Sequence, residues 1–244
     1  MNDDRKDIHN SQIPNLCRSC EARHQGICGA LSNEQLIRLN RYSSQRSITS
    51  GSELIGDEEE ISTYANVLSG VIKLAKTMSD GRQQIVGLQF APDFLGRPFH
   101  SSSRVAAEAA SDVKLCTFPK ALIETMISER PELEHRLHRQ ALRELDEARE
   151  WMLTLGRKTA AEKVASFLHM IARNVDPSRN PEDRGPSTFD LPLTRADIAD
   201  FLGLTIETVS RQLTKLRKAS IIEIENNRHV HVPDMERLER AAGN

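Results

Sequence analysis

Apolar and polar residues follow two different spacings along the chain. Between about 41 and 118, short apolar runs such as NVLSGVIKLAKTM and VKLCTF alternate with turn residues, a pattern typical of antiparallel strands. Asp80-Gly81 separates two of these runs and indicates a hairpin. Ahead of the runs, Ser32 and Gln35 form a capping box that predicts a short helix from Ser32 to Leu39. We therefore predict one all-β domain, either a sandwich or a small barrel.

Helical spacing begins at Pro119. It predicts a helix over KALIETMISERP, a long helix from about 132 to 155 without Gly or Pro, and a helix from Lys158 to Asn174. Roughly 24 residues span about 36 Å at 1.5 Å per residue, which is more than the cover of a small domain needs. We therefore interpret the heptad seam of the long helix as a dimer interface, although a helix that only covers its own domain has a similar pattern. The seam residues, which follow His138, are Ala141, Leu145, Ala148, Met152 and Leu155.

The C-terminal stretch LTRADIADFLGLTIETVSRQLTKL has the pattern of two short helices joined by a turn. Thr194 precedes the first helix, with Asp197 three residues later, and Gly203 ends it. Thr205 precedes the second, and the run IIEIENNRHVHV after it has the pattern of a hairpin wing. Together these features predict a winged helix-turn-helix. The apolar residues expected to be buried are Ile198, Phe201 and Leu202 in the first helix, and Ile206, Val209, Leu213 and Leu216 in the second.

The outer face of the second helix has the chemistry of a DNA-reading surface. Residues 205–220 carry four basic side chains and one acidic side chain. Arg can bond guanine O6 and N7, Glu can accept from cytosine N4, and Ser can bond either kind of base. We therefore assign Glu207, Ser210 and Arg211 to base edges. Thr205, Thr208 and Lys215 are assigned to phosphates, although a helix pair with merely solvated charges also fits this pattern.

Composition narrows the possible classes of protein. The 244 residues are 38% hydrophobic and carry a net charge of −2, so the chain has core-forming capacity but no overall attraction to polyanions. Aromatic residues make up only 4%, which argues against a stacking platform for single strands. No run approaches the roughly 18 apolar residues of a membrane span, and the start lacks the apolar core of a secretory signal. We predict a cytoplasmic protein that makes no membrane contact.

The cysteines are the unusual feature of this composition. Cys17, Cys20 and Cys28 lie close together in the first 30 residues, which we interpret as a loop because Pro14, Gly26 and Gly29 interrupt it, and Cys116 stands alone in a strand run. Thiols clustered in a reducing compartment indicate metal or redox chemistry. Four thiolates can hold an iron-sulfur cluster. Alternatively, Cys17, Cys20, His24 and Cys28 have spacing suited to zinc, which would leave Cys116 as a buried strand residue. The residues alone leave both possibilities open.

The order of these parts resembles the cyclic AMP receptor superfamily of bacterial regulators, and more closely the oxygen-sensing fumarate and nitrate reduction regulator group. The most specific element is the E-x-x-S-R string at Glu207, Ser210 and Arg211, which in that group selects a palindromic TTGAT half-site. The resemblance implies that a 4Fe-4S cluster is bound by Cys17, Cys20, Cys28 and Cys116, although the seven residues between the second and third cysteines exceed the gap of the best-known members. It also implies contact between RNA polymerase and the loop around Ser79 to Arg82.

The expected fold is α+β, with four segments: a cysteine-rich segment (1–30), an antiparallel, cupin-like β-roll sensor domain (31–130), a dimerisation helix (131–156) and a winged helix-turn-helix domain (157–244). The expected function is an oxygen-responsive, homodimeric transcription regulator, mainly an activator, and not an enzyme, because no convergent catalytic set or H-E-x-x-H spacing is present. The alternatives are a zinc-stabilised or cluster-independent regulator and a cyclic-nucleotide-responsive one. Arg97 and Val105 depart from the superfamily's nucleotide-pocket pattern and argue against the last of these.

Overall fold

The computed structural model describes residues 13–18, 20–176 and 183–243. These residues form two compact units. The first contains the described residues up to Ile72 together with Gln89–Glu144. The second contains Lys73–Leu88 and the described residues from Leu145 onward.

Antiparallel strands form the predicted β-roll. Strands β1, β8, β3 and β6 form one sheet in that order, and β2 pairs with β7. β4 and β5 form the hairpin predicted at Asp80-Gly81, where Gly81 takes a positive φ of 86°. The strands are β1 (Ser44–Ile48), β2 (Glu53–Ile55), β3 (Thr63–Ser69), β4 (Val71–Thr77), β5 (Gln83–Phe90), β6 (Phe94–Leu95), β7 (Ala106–Ala109) and β8 (Val113–Pro119).

The prediction of a loop for the first 30 residues is wrong, because the described part of this segment folds into helical turns. Ile13, Ala22 and Ile27 are only 2%, 5% and 1% exposed, so apolar burial holds these turns against the first unit in spite of the glycines. The capping box is confirmed, since Ser32 Oγ accepts from Gln35 N and Gln35 Oε1 accepts from Ser32 N. The helices up to residue 157 are α1 (Asn15–Arg18), α2 (Glu21–Gln25), a 3-10 turn (Ile27–Ala30), α3 (Asn33–Asn40), α4 (Lys120–Glu129) and α5 (Pro131–Arg157).

Helix α5 is longer than predicted, because it continues through Gly156 to Arg157. Its first turn is anchored by Leu133, which is fully buried. By contrast, every residue from Ala141 to Glu150 is exposed. A helical stretch of almost three turns is therefore left uncovered by the described residues.

The core of the first unit lies beneath the sheet that contains β3 and β8. The rings of Tyr64 and Phe94 meet edge to face with centroids 5.3 Å apart, and Phe118 stacks on Phe94. Cys17, Cys28 and Cys116 are partly buried against this same core. The cysteine segment is thus part of the packed unit.

The second unit contains the predicted winged helix-turn-helix. Its elements are α6 (Ala160–Asn174), β9 (Ser187–Asp190), α7 (Arg195–Leu202), α8 (Ile206–Lys218), β10 (Glu223–Glu225), β11 (His229–Val232) and α9 (Met235–Ala241), and its sheet has the order β10-β11-β9. Phe201 of α7 lies against two rings, 4.5 Å from Trp151 and 5.9 Å from Phe167. Aromatic contacts therefore join α7 to α5 and α6 within this unit.

The turn predicted between the two helices of the helix-turn-helix is present, but one residue predicted to be buried is exposed. Thr194 and Asp197 form a capping box, and Gly203 has a φ of 61°. Ile206, however, is 48% exposed, because it lies at the first position of α8, outside the packed face. Gln212 occupies that face instead and is 6% exposed.

None of the helices in the described ranges combines the length and apolar character required to cross a lipid bilayer.

Candidate functional sites

The structure brings the four predicted cysteines together in the first unit. Cys17 lies in α1, Cys20 precedes α2, and Cys28 lies in the 3-10 turn. Cys116 lies in the middle of β8, paired with Gln45 of β1 and Asn66 of β3. Cys28 is close enough to the other three that each would oppose its ionisation. Three local turns and one strand thus supply a single group of sulfur donors.

Burial governs the chemistry of these thiols. It raises the pKa of Cys28 far above that of a free thiol, and it raises the pKa of Cys116 to about 11. Burial and the neighbouring Cys20 also raise the pKa of Cys17, while the charge of Arg23 acts in the opposite direction. At neutral pH these groups are therefore protonated thiols, and a bound metal would have to displace their protons.

Asn66 is the polar neighbour of this sulfur group. Its side chain is 2% exposed, and Nδ2 donates to Cys28 Sγ at 3.3 Å. Its Oδ1 is buried and accepts no hydrogen bond from any residue that the structure describes. A buried amide held beside sulfur fits the outer shell of a thiolate-ligated centre, in which N–H donors orient the ligands and set their electron density. Sequence reasoning missed Asn66, although a lone amide in the apolar strand TYANVLS was an available signal.

The four cysteine sulfurs lie in one region, but they do not converge on a single metal-ion position. Among residues 13–18, 20–176 and 183–243, no three His, Cys, Asp or Glu side chains form a group that could hold a metal ion. A single zinc ion would need its sulfur ligands about 2.3 Å from one centre. A cluster of four irons distributes its four thiolates over separate metal atoms. Four soft cysteine sulfurs beside a hydrophobic core have the ligand chemistry that such a cluster requires.

Arg136 of α5 contacts the cysteine segment directly. Its guanidinium donates to the carbonyl oxygens of His24 and Gly26, both between Cys20 and Cys28. Burial lowers the pKa of Arg136, as do the two arginines that follow it on the helix, whereas Cys28 opposes the shift. Sequence reasoning missed Arg136 because an arginine on a charged helix gives no local sign of such a partner.

The predicted seam of α5 is largely open to solvent. Leu145 and Met152 are 44% and 73% exposed, Ala141 and Ala148 are also exposed, and Leu155 is half-buried. Two exposed leucines that the heptad assignment missed, Leu142 and Leu153, widen the apolar stripe. An apolar stripe of this size on an uncovered helix is typical of an interaction surface.

A groove in the first unit continues this stripe. It has a volume of about 430 Å³. Its wall includes His138 and Ala141 of α5 and the rings of Phe94 and Phe99. Phe99 is 64% exposed and has a positive φ of 65°. The groove thus adds apolar surface beside the start of the seam.

Helix α8 presents the predicted DNA-reading residues on its outer face. Glu207, Ser210, Arg211 and Lys215 are exposed, as is Thr205, whereas Thr208 is half-buried. Thr205 Oγ1 accepts from the backbone N–H of Thr208 and caps the helix. Arg211 Nη2 donates to Thr208 Oγ1 at 3.3 Å. This bond holds the Arg211 side chain beside the first turn of α8.

Arg195 ties the wing to the start of α7. Its Nη2 donates to the carbonyl oxygen of Asn227 at 3.0 Å. Asn226 and Asn227 have positive φ values of 49° and 58°, which suits a tight hairpin turn between β10 and β11. Sequence reasoning did not single out Arg195, because its partner lies 32 positions away.

Two family models and several known proteins match this chain. The model of the cyclic nucleotide-binding domain matches residues 45–130, and that of the Crp-like helix-turn-helix domain matches residues 162–241. A probable transcriptional activator of Rhizobium leguminosarum bv. viciae is 59% identical over 236 residues, 97% of each chain. The transcriptional activator protein FnrL of Cereibacter sphaeroides is 43% identical over 235 residues, 95% of each chain.

A solved structure gives the same picture of the fold. FixK2 from Bradyrhizobium japonicum superimposes with a TM-score of 0.72 and 31% identity, covering 82% of this chain and 96% of that one. The predicted β-roll and helix-turn-helix architecture is therefore confirmed. The relatives are transcriptional activators, which agrees with the prediction that the chain is not an enzyme.

Proposed function

The chain belongs to the Crp/Fnr family of transcription regulators, and from that premise we propose that it is an oxygen-responsive transcriptional activator. The gathering of Cys17, Cys20, Cys28 and Cys116 beside one buried amide carries the proposal. These four residues would be the ligands of a 4Fe-4S cluster. When bound, the cluster would supply an oxygen-labile link between the N-terminal segment and β8.

The protein's own residues determine what such a link constrains. Cys116 belongs to a central strand of the sheet, whereas the other three cysteines belong to the helical turns of the N-terminal segment. Asn66 orients Cys28, and Arg136 attaches the same segment to α5. Ligation by all four thiolates would therefore fix the segment at both the sheet and the helix.

A second copy of this chain is the proposed partner of the open α5 seam. Small residues at 141 and 148 limit the apolar area that two seams can bury, at about 25 cal/mol per Å². Such an interface is weak enough for its equilibrium to respond to the position of α5. Two α8 helices related by a two-fold axis would then meet half-sites about one helical turn apart.

The proposed DNA target is a TTGAT-type palindrome. Arg211, Ser210 and Glu207 would read base edges, while Thr205, Thr208 and Lys215 would bond phosphates. Glu207, Ser210, Arg211 and Lys215 are exposed along α8, and Thr205 and Thr208 lie at its N-terminal end, where backbone N–H groups also favour a phosphate.

Activation would also require contact with RNA polymerase. The loop from Ser79 to Arg82 is exposed along its whole length, and Arg82 forms an ion pair with Asp80. We propose this loop as one such contact.

The proposed function is tested by measuring DNA binding before and after the protein is exposed to air. Protein isolated without oxygen is titrated with a labelled TTGAT palindrome and with a scrambled duplex at one salt concentration, then exposed to air and titrated again. We expect selective binding that falls after exposure and returns after anaerobic reconstitution with iron and sulfide. Binding that is indifferent to air contradicts the proposal, as does binding that needs only zinc or an added cyclic nucleotide.

A further inference from the structure

Arg136 links the cysteine segment to α5 through hydrogen bonds. We infer that it is the positioning residue through which the state of the cysteines sets the position of this helix. The inference rests on the oxygen-responsive function proposed above, but it concerns a residue outside the ligand set and outside the seam.

Three contacts carry the inference. Arg136 Nη1 donates to the carbonyl oxygens of Gly26 at 3.0 Å and His24 at 3.2 Å, and Nη2 donates to His24 at 3.3 Å. The planar guanidinium can hold two carbonyls in a fixed geometry, which a single ammonium group cannot do. Both carbonyls lie between Cys20 and Cys28, so the contact is lost if this part of the chain moves.

The space around Gly29 supports the same contact. A Cβ added at Gly29 would lie 2.6 Å from Arg136 Nη1 and 2.8 Å from the carbonyl oxygen of His24. A residue with no side chain is therefore needed for the guanidinium to reach the segment. Gly29 immediately follows Cys28, so the close approach occurs beside a proposed ligand.

The position of Arg136 on the helix explains how it acts without blocking a dimer. Leu145 lies nine positions after Arg136, and at about 100° per residue the two lie on opposite faces of α5. Gln140, on the face of Arg136, is 7% exposed and donates to the carbonyl oxygen of Phe94 at 3.3 Å. One face of α5 thus bonds to the first unit, and the other presents the seam.

Loss of the Arg136 contact leaves α5 attached near its start by Leu133 and Gln140 but released from the cysteine segment. Ala141, the first seam residue, lies five positions after Arg136 on the same helix, so a shift at Arg136 also shifts the start of the seam. The expected consequence is a change in dimerisation rather than in cluster binding.

The test measures cluster content and dimerisation in the same samples of full-length protein. Arg136→Gln removes the contacts, and Arg136→Lys keeps the charge without the planar fork. Arg139→Gln is the matched control, because Arg139 follows on the same helix and has no hydrogen bond to the segment among the described residues. Iron and sulfide per chain, the visible absorption spectrum and the dimer dissociation constant by sedimentation are measured without oxygen and after air.

In the wild-type protein we expect the dissociation constant to rise about tenfold or more after air, within the usual 5- to 150-fold range of such couplings. Arg136→Gln should keep its iron, sulfide and spectrum but change its dissociation constant less than about threefold. Arg136→Lys should fall between the two, and Arg139→Gln should match the wild type.

Three results would overturn the inference. One is a fully loaded Arg136→Gln protein with the wild-type response, and another is an equal loss in Arg139→Gln, which would indicate a general effect of charge. The third is loss of iron from both Arg136→Gln and Gly29→Ala, which would assign Arg136 to cluster assembly. A wild-type protein without iron and sulfide, or without any response to air, would instead refute the proposed function.

Discussion

Asn66 Nδ2 donates to Cys28 Sγ at 3.3 Å across 38 positions of sequence. Asn66 also lies directly opposite Cys116 in the pairing of β3 with β8. One buried amide therefore adjoins a cysteine of the N-terminal segment and the cysteine of the sheet. This is the geometry expected of an outer-shell residue that orients ligands from two parts of a chain.

Asn66→Leu should weaken metal retention while preserving the fold. It removes the N–H donor to sulfur, together with a buried oxygen that accepts no hydrogen bond within the described part of the chain. Outer-shell changes cost about 10- to 100-fold in metal affinity, so iron should pass to a competing chelator correspondingly more readily in anaerobic titrations. Gln89→Leu is the control, since Gln89 is a buried amide of the same unit that bonds the carbonyl oxygen of Phe94. Equal retention in Asn66→Leu and the wild type would remove Asn66 from the site.

Ala148→Leu should strengthen the dimer and reduce its dependence on the cluster. The added methylene groups would contribute about 2 kcal/mol per protomer if fully buried in the seam. Sedimentation should show a lower dissociation constant, with the larger gain in the aerated protein. Glu150→Leu adds an apolar side chain about 140° away from Leu145 on the same helix and should have little effect. Unchanged oxygen sensitivity in Ala148→Leu would count against the seam as the interface.

Arg211→Ala should relax selectivity at one guanine. The loss of a bidentate base contact costs about 1 to 3 kcal/mol for the matching sequence and much less for a site already changed at that position. Lys215→Ala should instead weaken binding about equally for all sequences and lower the salt dependence by about one ion. Titrations of both variants against single-base variants of the palindrome separate these roles. A uniform loss in Arg211→Ala would reassign Arg211 to a phosphate.

Lys73→Met should destabilise the second unit. Lys73 Nζ lies 2.6 Å from Asp197 Oδ1, and the two side chains are only 9% and 16% exposed. Removing one member of such a pair costs about 3 to 5 kcal/mol, because the other charge remains buried. Denaturant unfolding at pH 7 measures this difference. Arg82→Met, in the exposed pair with Asp80, should have little effect.

The pH dependence of the same variant gives a second measurement. Burial would raise the pKa of Asp197, but the hydrogen bonds from Lys73 and Thr194 outweigh it and hold the pKa below its usual value. A lowered folded-state pKa contributes stability above the unfolded-state value of about 3.9, and that contribution is lost as pH falls through the folded-state value. The wild type should therefore lose more stability than Lys73→Met on acidification below about pH 4. Parallel acid curves would contradict this assignment.

Local signals predicted much of the fold. The capping boxes at Ser32 and Thr194 and the N-cap at Thr205 are confirmed. Each involves residues only three positions apart, so the local sequence is sufficient to predict it. The hairpin at Gly81 and the turn at Gly203 are also confirmed. Each depends on a single residue with a positive φ, which glycine adopts readily.

Contacts between distant segments account for what the sequence alone missed. The turns around Ile27 form because apolar residues there join a core built from later helices and strands, which the local glycines and proline do not reveal. The contacts of Asn66 and Arg136 depend on the register of β3 and on the rotation of α5. Ile206 is exposed and Gln212 is buried because packing, and not periodicity alone, determines which residues of α8 are covered.

The metal content of the anaerobically isolated protein and of two variants distinguishes a 4Fe-4S cluster from a zinc site. We expect about four irons and four sulfides per chain in the wild type, a near-complete loss of both in Cys116→Ser, and wild-type content in His24→Ala. Zinc without sulfide, retained in Cys116→Ser and lost in His24→Ala, would contradict the 4Fe-4S assignment.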